Sequence, residues 1–414
     1  VRNHRSRSLI LLTLLLPLPA RAALTLVGSP LVISESPYCS YNTGLEVTAT
    51  PKGAFEAVWI DEGTYEVKGQ RFTRNLLPTG SPRTLLPIHS GLFFSSVVGT
   101  WTGRYEVAMN VNDYDNYPDD PAVGYRVSLD LEGAPLAPAA RFKPPRFFRL
   151  APAAGGDSLQ FRTEPPIFGP SSCPSEGLLA GRIDAGGAAL GPESRITRRA
   201  SAFRLGSQFL TERLPDDTFV AVYVTCEKFN GLVARHLNAA GAPVGNPINL
   251  PLPPQPGNFP SGSLALAARG GGGFLVGTMV SNSGIEPGGY TWGVVNGQVF
   301  GPTPIPAPRG AAGFPRLVDL AASPTGGYLL LFQSGGGDHS SRSTLVAQEL
   351  DAQGVPRGAA VAVIDQNGGG TSSSSFTAAA ASLPNGRWII VARQQTGDPT
   401  SCSERLVRIV LAGE

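Results

Sequence analysis

The chain has 414 residues, 42% of them hydrophobic and only 15% charged, with 51 glycines and 38 prolines. So much Gly and Pro beside ample Val and Leu excludes a disordered chain and indicates turn-rich β structure. The formal charge of +2 gives no electrostatic support to nucleic-acid binding.

In chain order, Arg2, Arg5 and Arg7 form a basic opening, Leu9–Leu18 a short apolar core, and Ala20-Arg21-Ala22 an A-x-A site. This is the pattern of a secretory signal peptide over residues 1–22, and it places the rest of the chain in the periplasm or the medium. The apolar run is too short to span a bilayer, and no transmembrane segment follows. Removing residues 1–22 takes four of the 33 basic residues, leaving 29 against 31 acids and a net charge of about −2.

The remainder, residues 23–414, repeats. Thr344–Gly354 reads as a strand, Val355–Gly358 as a Gly-containing turn, and Ala359–Ile364 as a second strand. Related turns stand at Asn75–Gly80, Gly133–Ala137, Gly187–Gly191, Gly241–Gly245 and Gly297–Gly301, at intervals of about 54–58 residues. Before each lies a small-residue strand, a tight turn and a very apolar strand, as in Phe219–Val224 and Tyr328–Phe332. The apolar strand does not alternate, so both its faces are buried. The third strand alternates better (Val346, Gln348, Leu350), and the fourth is short, Pro-rich and edge-like.

Radially stacked four-stranded sheets bury inner strands on both faces, which is the arrangement of a β-propeller. Units run over about Gly44–Ile88, Phe93–Phe142, Phe147–Ile196, Phe203–Leu250, Ser263–Ile305 and Leu317–Ile364. A last unit starts near Phe376 and stops after its third strand, Leu406–Leu411, while Leu24–Glu35 resembles an orphan fourth strand. The expectation is an all-β fold: a single seven-bladed β-propeller with four-stranded antiparallel blades. An N-terminal strand, Leu31–Ser34, completes the last blade and closes the ring.

Four cysteines in a secreted chain allow three pairings. In a propeller, the connector between blades and the loop between second and third strands lie on one face. Cys39 falls in the connector from blade seven to blade one, and Cys402, Cys173 and Cys226 in second-to-third loops of blades seven, three and four. The expected disulfides are Cys39–Cys402 and Cys173–Cys226, each joining neighbouring blades.

On the same face, Asn112–Asp120 carries Asp113, Asp115, Asp119 and Asp120, hard oxygen donors suited to calcium. The EF-hand pattern fails, because Tyr117 and Pro118 stand where a ligand and a glycine belong; a solvated acidic loop is the alternative. No other cofactor is indicated. Tyr65, Tyr114, Tyr117 and Phe229 fall in or near these loops, and aromatic residues on a rigid scaffold suit recognition of a protein or glycan. First strands line the channel of a propeller and here offer Glu46, Arg149, Arg204 and Asp319. His236 reads as a packed strand residue. No G-x-S-x-G, H-E-x-x-H, P-loop or dinucleotide motif occurs.

The phrases VAQELDAQGVPRG and ARHLNAAGAPVG resemble the "rfdaaGaplG" repeats of bacterial secreted proteins. That resemblance covers nearly all of the chain after residue 22. It implies a propeller fold and an envelope or extracellular location, and it carries no catalytic residues. The reading is a secreted, monomeric, non-catalytic scaffold that binds a protein or glycan through one loop face. Its alternative is an extracellular hydrolase or lyase with a site at the mouth of the channel.

Overall fold

The computed structural model describes residues 24–36, 44–50, 52–61, 64, 66–87, 96–101, 105–111, 123–130, 132–142, 148–153, 156–163, 175–184, 187–201, 209–225, 231–251, 264–269, 272–280, 288–306, 316–324, 326–335, 343–366, 376–396 and 403–412. These form seven antiparallel sheets. Blade one is Leu45–Ala49, Phe55–Asp61, Glu66–Phe72 and Arg83–Pro87; blade two is Ser96–Trp101, Tyr105–Val111, Val123–Leu129 and Ala140–Phe142. Blade three is Phe148–Pro152, Ser158–Thr163, Ser175–Ile183 and Ser194–Ser201; blade four is Phe209–Arg213, Phe219–Val224, Leu232–Leu237 and Pro243–Leu250. Blade five is Leu264–Ala268, Phe274–Val280, Gly288–Val295 and Gln298–Ile305; blade six is Arg316–Ala322, Tyr328–Gly335, Ser343–Leu350 and Pro356–Gln366. Blade seven has Thr377–Ser382, Arg387–Thr396 and Ser403–Ala412, and the N-terminal segments Thr25–Leu26 and Leu31–Ser36 both pair with that last strand.

The first strand of each blade touches the first strand of the next, and that of blade seven touches that of blade one. The apolar core therefore lies between blades rather than inside any one of them. Six buried clusters are described, each shared by two neighbours; one joins Ala379, Ile389 and Val391 of blade seven to Val47, Phe55 and Trp59 of blade one. This two-sided covering explains the unbroken apolar second strands: every residue of Phe219–Val224 and Tyr328–Gly335 is buried. Each large side chain removed from water there contributes about 1.5–3 kcal/mol.

Two features of the strands go beyond the sequence expectation. The third strand does not expose the polar residue of its pattern: Gln348 is buried and its Nε2 donates to the carbonyls of Glu349 (2.9 Å), Arg357 (2.9 Å) and Gly358 (3.4 Å). Gln70 does the same in blade one toward Arg71, Thr79 and Gly80. The polar residue is there to satisfy carbonyls freed where the fourth strand bulges. Nor are fourth strands uniformly short: Pro356–Gln366 has 11 residues. They keep their edge position, and all of them lie outermost in their sheets.

Outside blade five, which turns through Asn296-Gly297 alone, the turn between third and fourth strands has one construction. In blades two, three, four and six, an Asp or Asn (Asp130, Asp184, Asn238, Asp351) accepts through Oδ1 from backbone N–H groups that follow it. The glycine three residues on donates back to its carbonyl: Gly133, Gly187, Gly241 and Gly354, with φ between 78° and 86°. Blade one substitutes Thr73 for the acid and Leu76, at φ 67°, for the glycine.

Each described turn of this type outside blade three packs on the preceding blade. A Cβ on Gly241 would meet Leu159 Cδ1 at 2.7 Å, and one on Gly354 would meet Leu275 Cδ1 at 2.7 Å. Side chains of the preceding blade also donate to the turn carbonyls: Arg83 Nη2 to Glu132 (2.6 Å), Thr291 Oγ1 to Gly354 (2.8 Å) and Arg408 Nη1 to Leu76.

At the chain ends, Thr25 lies opposite Ala412 and Leu26 opposite Leu411; after a bulge, Leu31 lies opposite Arg408 and Ser36 opposite Glu404. At the junction of blades seven and one, Arg393 Nη2 donates to Ile60 O at 2.8 Å.

Candidate functional site in the central channel

The first strands that surround the channel are built from small or apolar residues, with three carboxyls set among them. Glu46 is in blade one, Glu212 in blade four and Asp319 in blade six. Pairing fixes their levels. Glu46 lies opposite Val58 and Asp319 opposite Leu331, equivalent positions of their hairpins; Glu212, opposite Val220, is two residues nearer the turn. A two-residue offset keeps all three on the same side of their strands.

All three are half-buried at their own surface yet ringed by protein, and that enclosure governs their ionisation. Desolvation pushes Glu46 well above the usual carboxylate range, and the charges of Asp319 and then Glu212 push it further, against one backbone hydrogen bond from Val47. Glu212 is raised to about 8, by desolvation first and then by Asp319. Asp319 rises only to about 6, because desolvation is offset by the backbone N–H groups of Ala380 and Leu320. The Ala380 N–H donates to Asp319 Oδ2 at 2.7 Å, across from blade seven.

At neutral pH, then, Asp319 is the ionised member and Glu212 carries a proton. Sites that keep one carboxyl charged beside another neutral can donate and accept hydrogen bonds at once, which suits hydroxyl-bearing or cationic ligands and acid–base chemistry. Among the described residues, no three acidic, His or Cys side chains are grouped so as to hold a metal ion.

Of the residues expected in the channel, the structure brings Glu46 and Asp319 together. Arg204 lies outside the described residues, as does the side chain of Arg149. Glu212 is the member the sequence reading missed. It counted blade four forward from Phe203, whereas the strand is Phe209–Arg213. Counting back from the Leu214–Thr218 turn finds it. His236 packs edge-on against Phe274 (centroids 5.6 Å apart), and burial lowers its pKa.

Tyr65, Tyr114, Tyr117, Phe229, Asp113, Asp115, Asp119, Asp120, Cys39, Cys173, Cys226 and Cys402 all lie outside the described residues. Their places in the chain are fixed by the strands on either side. Asp113–Asp120 belongs to the connection from Val111 to Val123, Cys173 to that from Thr163 to Ser175, and Cys226 and Phe229 to that from Val224 to Leu232.

No family model matches the chain, and no curated protein matches it. Solved structures do resemble it. A protein of unknown function from Dyadobacter fermentans is 11% identical, over 96% of this chain and 100% of that one, with a TM-score of 0.47. The β-propeller domain of the Trilobed protease from Pyrococcus furiosus, described as having an open velcro topology, is 10% identical over 89% and 95%, TM-score 0.45. A puromycin hydrolase is 13% identical over 87% of this chain and 51% of its own length, TM-score 0.44. At this distance the likenesses carry nothing about activity, and the propeller description rests on the seven sheets and the cyclic contact of their first strands.

Proposed function

We propose that the protein is a secreted or periplasmic, non-catalytic propeller that binds a protein or glycan through the face bearing its second-to-third-strand connections. One observation carries this reading. At one end of the blades the connections are tight turns of nearly constant construction, Thr50–Ala54, Leu214–Thr218, Arg269–Gly273, Ser323–Gly327 and Leu383–Arg387 among them. At the other end, connections between equivalent strands differ in length and composition: Asp61 to Glu66 in blade one, Val111 to Val123 in blade two, Thr396 to Ser403 in blade seven. Uniform framework with variable loops on one face is how a rigid scaffold presents recognition. Those connections hold Tyr65, Tyr114, Tyr117 and Phe229. Glycan-array binding and capture from the native secretome, with wild type and a Tyr114→Ala/Tyr117→Ala variant, test the reading. A ligand of wild type that is lost at least tenfold by the variant supports it; equal binding by both counts against this loop. Calcium in the Asp113–Asp120 loop is part of the same proposal, and titration calorimetry without heat removes it.

The pairing of residues 25–36 with Ser403–Ala412 supports the further reading that the N-terminal strand fastens the ring. The Ser36–Glu404 pair brings the two strand ends next to Cys39 and Cys402 together, which favours a disulfide there. Peptide mapping that links Cys39 to Cys173 instead would break the assignment.

The three channel carboxyls favour one second reading, a hydrolase or lyase with Glu212 as acid and Asp319 as base. Activity toward glycoside or polysaccharide substrates that disappears in Glu212→Gln and Asp319→Asn, with binding retained, would establish it in place of the scaffold.

A further inference from the structure

Between blades one and two lies a carboxyl that the channel does not use. Glu56, on the second strand of blade one, is 1% exposed, and neither carboxyl oxygen has a hydrogen-bond partner. It is the cross-strand neighbour of Arg71 on one side and Thr48 on the other. Two glycines make room for it: a Cβ on Gly69 would stand 2.9 Å from Oε1, and a Cβ on Gly133, in the turn of blade two, 2.8 Å from Oε2. That same point beside Gly133 is 2.6 Å from Arg83 Nη2. The carboxyl and the guanidinium therefore converge on one spot without pairing. Arg83 spends its Nη2 on the Glu132 carbonyl at 2.6 Å, tying the turn of blade two to blade one. Its Nε, and Nη1 of Arg71, are buried and without partners.

Buried acceptors and buried donors left unpaired side by side are costly. A neutral carboxyl escapes the larger cost, that of a buried charge without a partner, and the arrangement has an obvious second state. We propose that Glu56 is a proton-operated latch between blades one and two. Protonated, it is a neutral filler that leaves Arg83 on the Glu132 carbonyl. Ionised, it takes Arg83 as counter-ion, and the Asp130–Gly133 turn loses its tie to blade one.

The groups that face Glu56 set the switching range. Desolvation raises its pKa to about 8; Arg83 and then Arg71 pull it down, and Asp130, from blade two, pushes it up. Tyr105, whose ionisation Glu56 also opposes, sits under Arg71 with the guanidinium carbon 5.2 Å from the ring centroid, and burial raises its own pKa, so it stays neutral throughout. The latch is thus shut at neutral and acid pH and opens as pH rises through the range near 8.

Hydrogen exchange of the full chain tests this, read on peptides covering residues 128–136 at pH 6.5 and pH 9.5 and corrected for intrinsic exchange. The equivalent turn of blade six, Asp351–Gly354, is the internal reference, since it is held by the Thr291 hydroxyl and its glycine packs on Leu275 and Thr291. The expected result is a loss of protection of about tenfold or more at residues 128–136 in wild type, none at the reference turn, and none at either turn in Glu56→Gln. In Arg83→Met the 128–136 turn should be poorly protected at both pH values. A wild-type 128–136 segment whose protection is the same at both pH values, or falls in step with the reference turn, overturns the proposal even if the variants fail to fold. Equal pH response in wild type and a folded Glu56→Gln protein also overturns it.

Discussion

Gly241 and Gly80 separate two costs that a glycine can avoid. Gly241 has φ 84° and no room, with Leu159 Cδ1 2.7 Å from the place of a Cβ; Gly80 has φ 72° and nothing within 4 Å. Gly80→Ala should cost only the left-handed backbone, about 1–2 kcal/mol. Gly241→Ala adds overpacking against blade three, for a loss of about 2–5 kcal/mol in all. Denaturant melts of the two variants check the difference. The D/N-x-x-G pattern was readable in the sequence because it is chemistry local to one turn. Leu76 could not be found that way: its place at φ 67° is held by burial in the cluster between blades seven and one, a tertiary effect with no local signature.

The buried carboxyls belong to the same scale and give a pH dependence with a definite sign. Glu212 and Glu56 are raised to about 8 and Asp319 to about 6. Above the ordinary carboxylate range the unfolded chain has released protons that the folded chain keeps. The stability from these groups is therefore complete below about pH 4 and is lost as pH rises through about 6 and then about 8. Melting temperature is expected to be higher at pH 5 than at pH 8.5 by several degrees. Glu212→Gln, which cannot ionise, should melt higher than wild type at pH 8.5 and show a shallower fall. A wild-type melting temperature that climbs from pH 5 to 8.5 contradicts this.

At the scale of elements, the turn of one blade is a part of its neighbour. Thr291 is fully buried and donates through Oγ1 to Gly354 O, which belongs to the next blade. Thr291→Val keeps the shape and leaves that carbonyl without its donor, so a loss of about 1–3 kcal/mol is expected in urea melts. The strands were legible where an apolar run lay between two turn signals, as at Phe219–Val224. They were less legible where a polar side chain had an inward role. Nothing in their own strands marks Gln348 and Gln70 as inward donors, yet each serves bulge carbonyls inside the blade. The bulge itself is created by pairing, so its demand for a donor is invisible in the strand's own sequence. Glu212 was hidden for another reason: the strand was started at Phe203, and only counting back from the Leu214–Thr218 turn sets the register that places it.

For the whole molecule, the decisive question is how the two ends of the chain meet. In blade two, Leu129 lies opposite Pro135 and the next residue, Leu136, donates its N–H to Ser128 O at 2.8 Å. In blade one, Phe72 lies opposite Pro78 and Thr79 donates to Arg71 O at 2.9 Å. In blade seven, Leu411 lies opposite Leu26 and Val27 donates to Val410 O at 2.9 Å. Gly28, at φ 74°, then matches Gly80, at φ 72°, and each is followed by Ser-Pro. The N-terminal segment thus occupies the place that a turn delivers in other blades, with only the turn missing. A circular permutant follows from this. Residue 412 would be joined to Thr25 through three residues, a copy of Ala352–Gly354, with new ends opened between Ser36 and Leu45. It should fold into the same structure, because every strand keeps its partner and the added turn is one the fold already uses. Its circular dichroism should match wild type and its melting temperature should be equal or higher, since Thr25–Leu26 would no longer lie at a free end. Deleting residues 24–36 instead should expose the edge of Ser403–Ala412 and uncover Leu406 and Val410, lowering the melting temperature by on the order of 10 °C or abolishing the cooperative transition. A deletion variant that melts like wild type would show that the ring holds without its N-terminal strand.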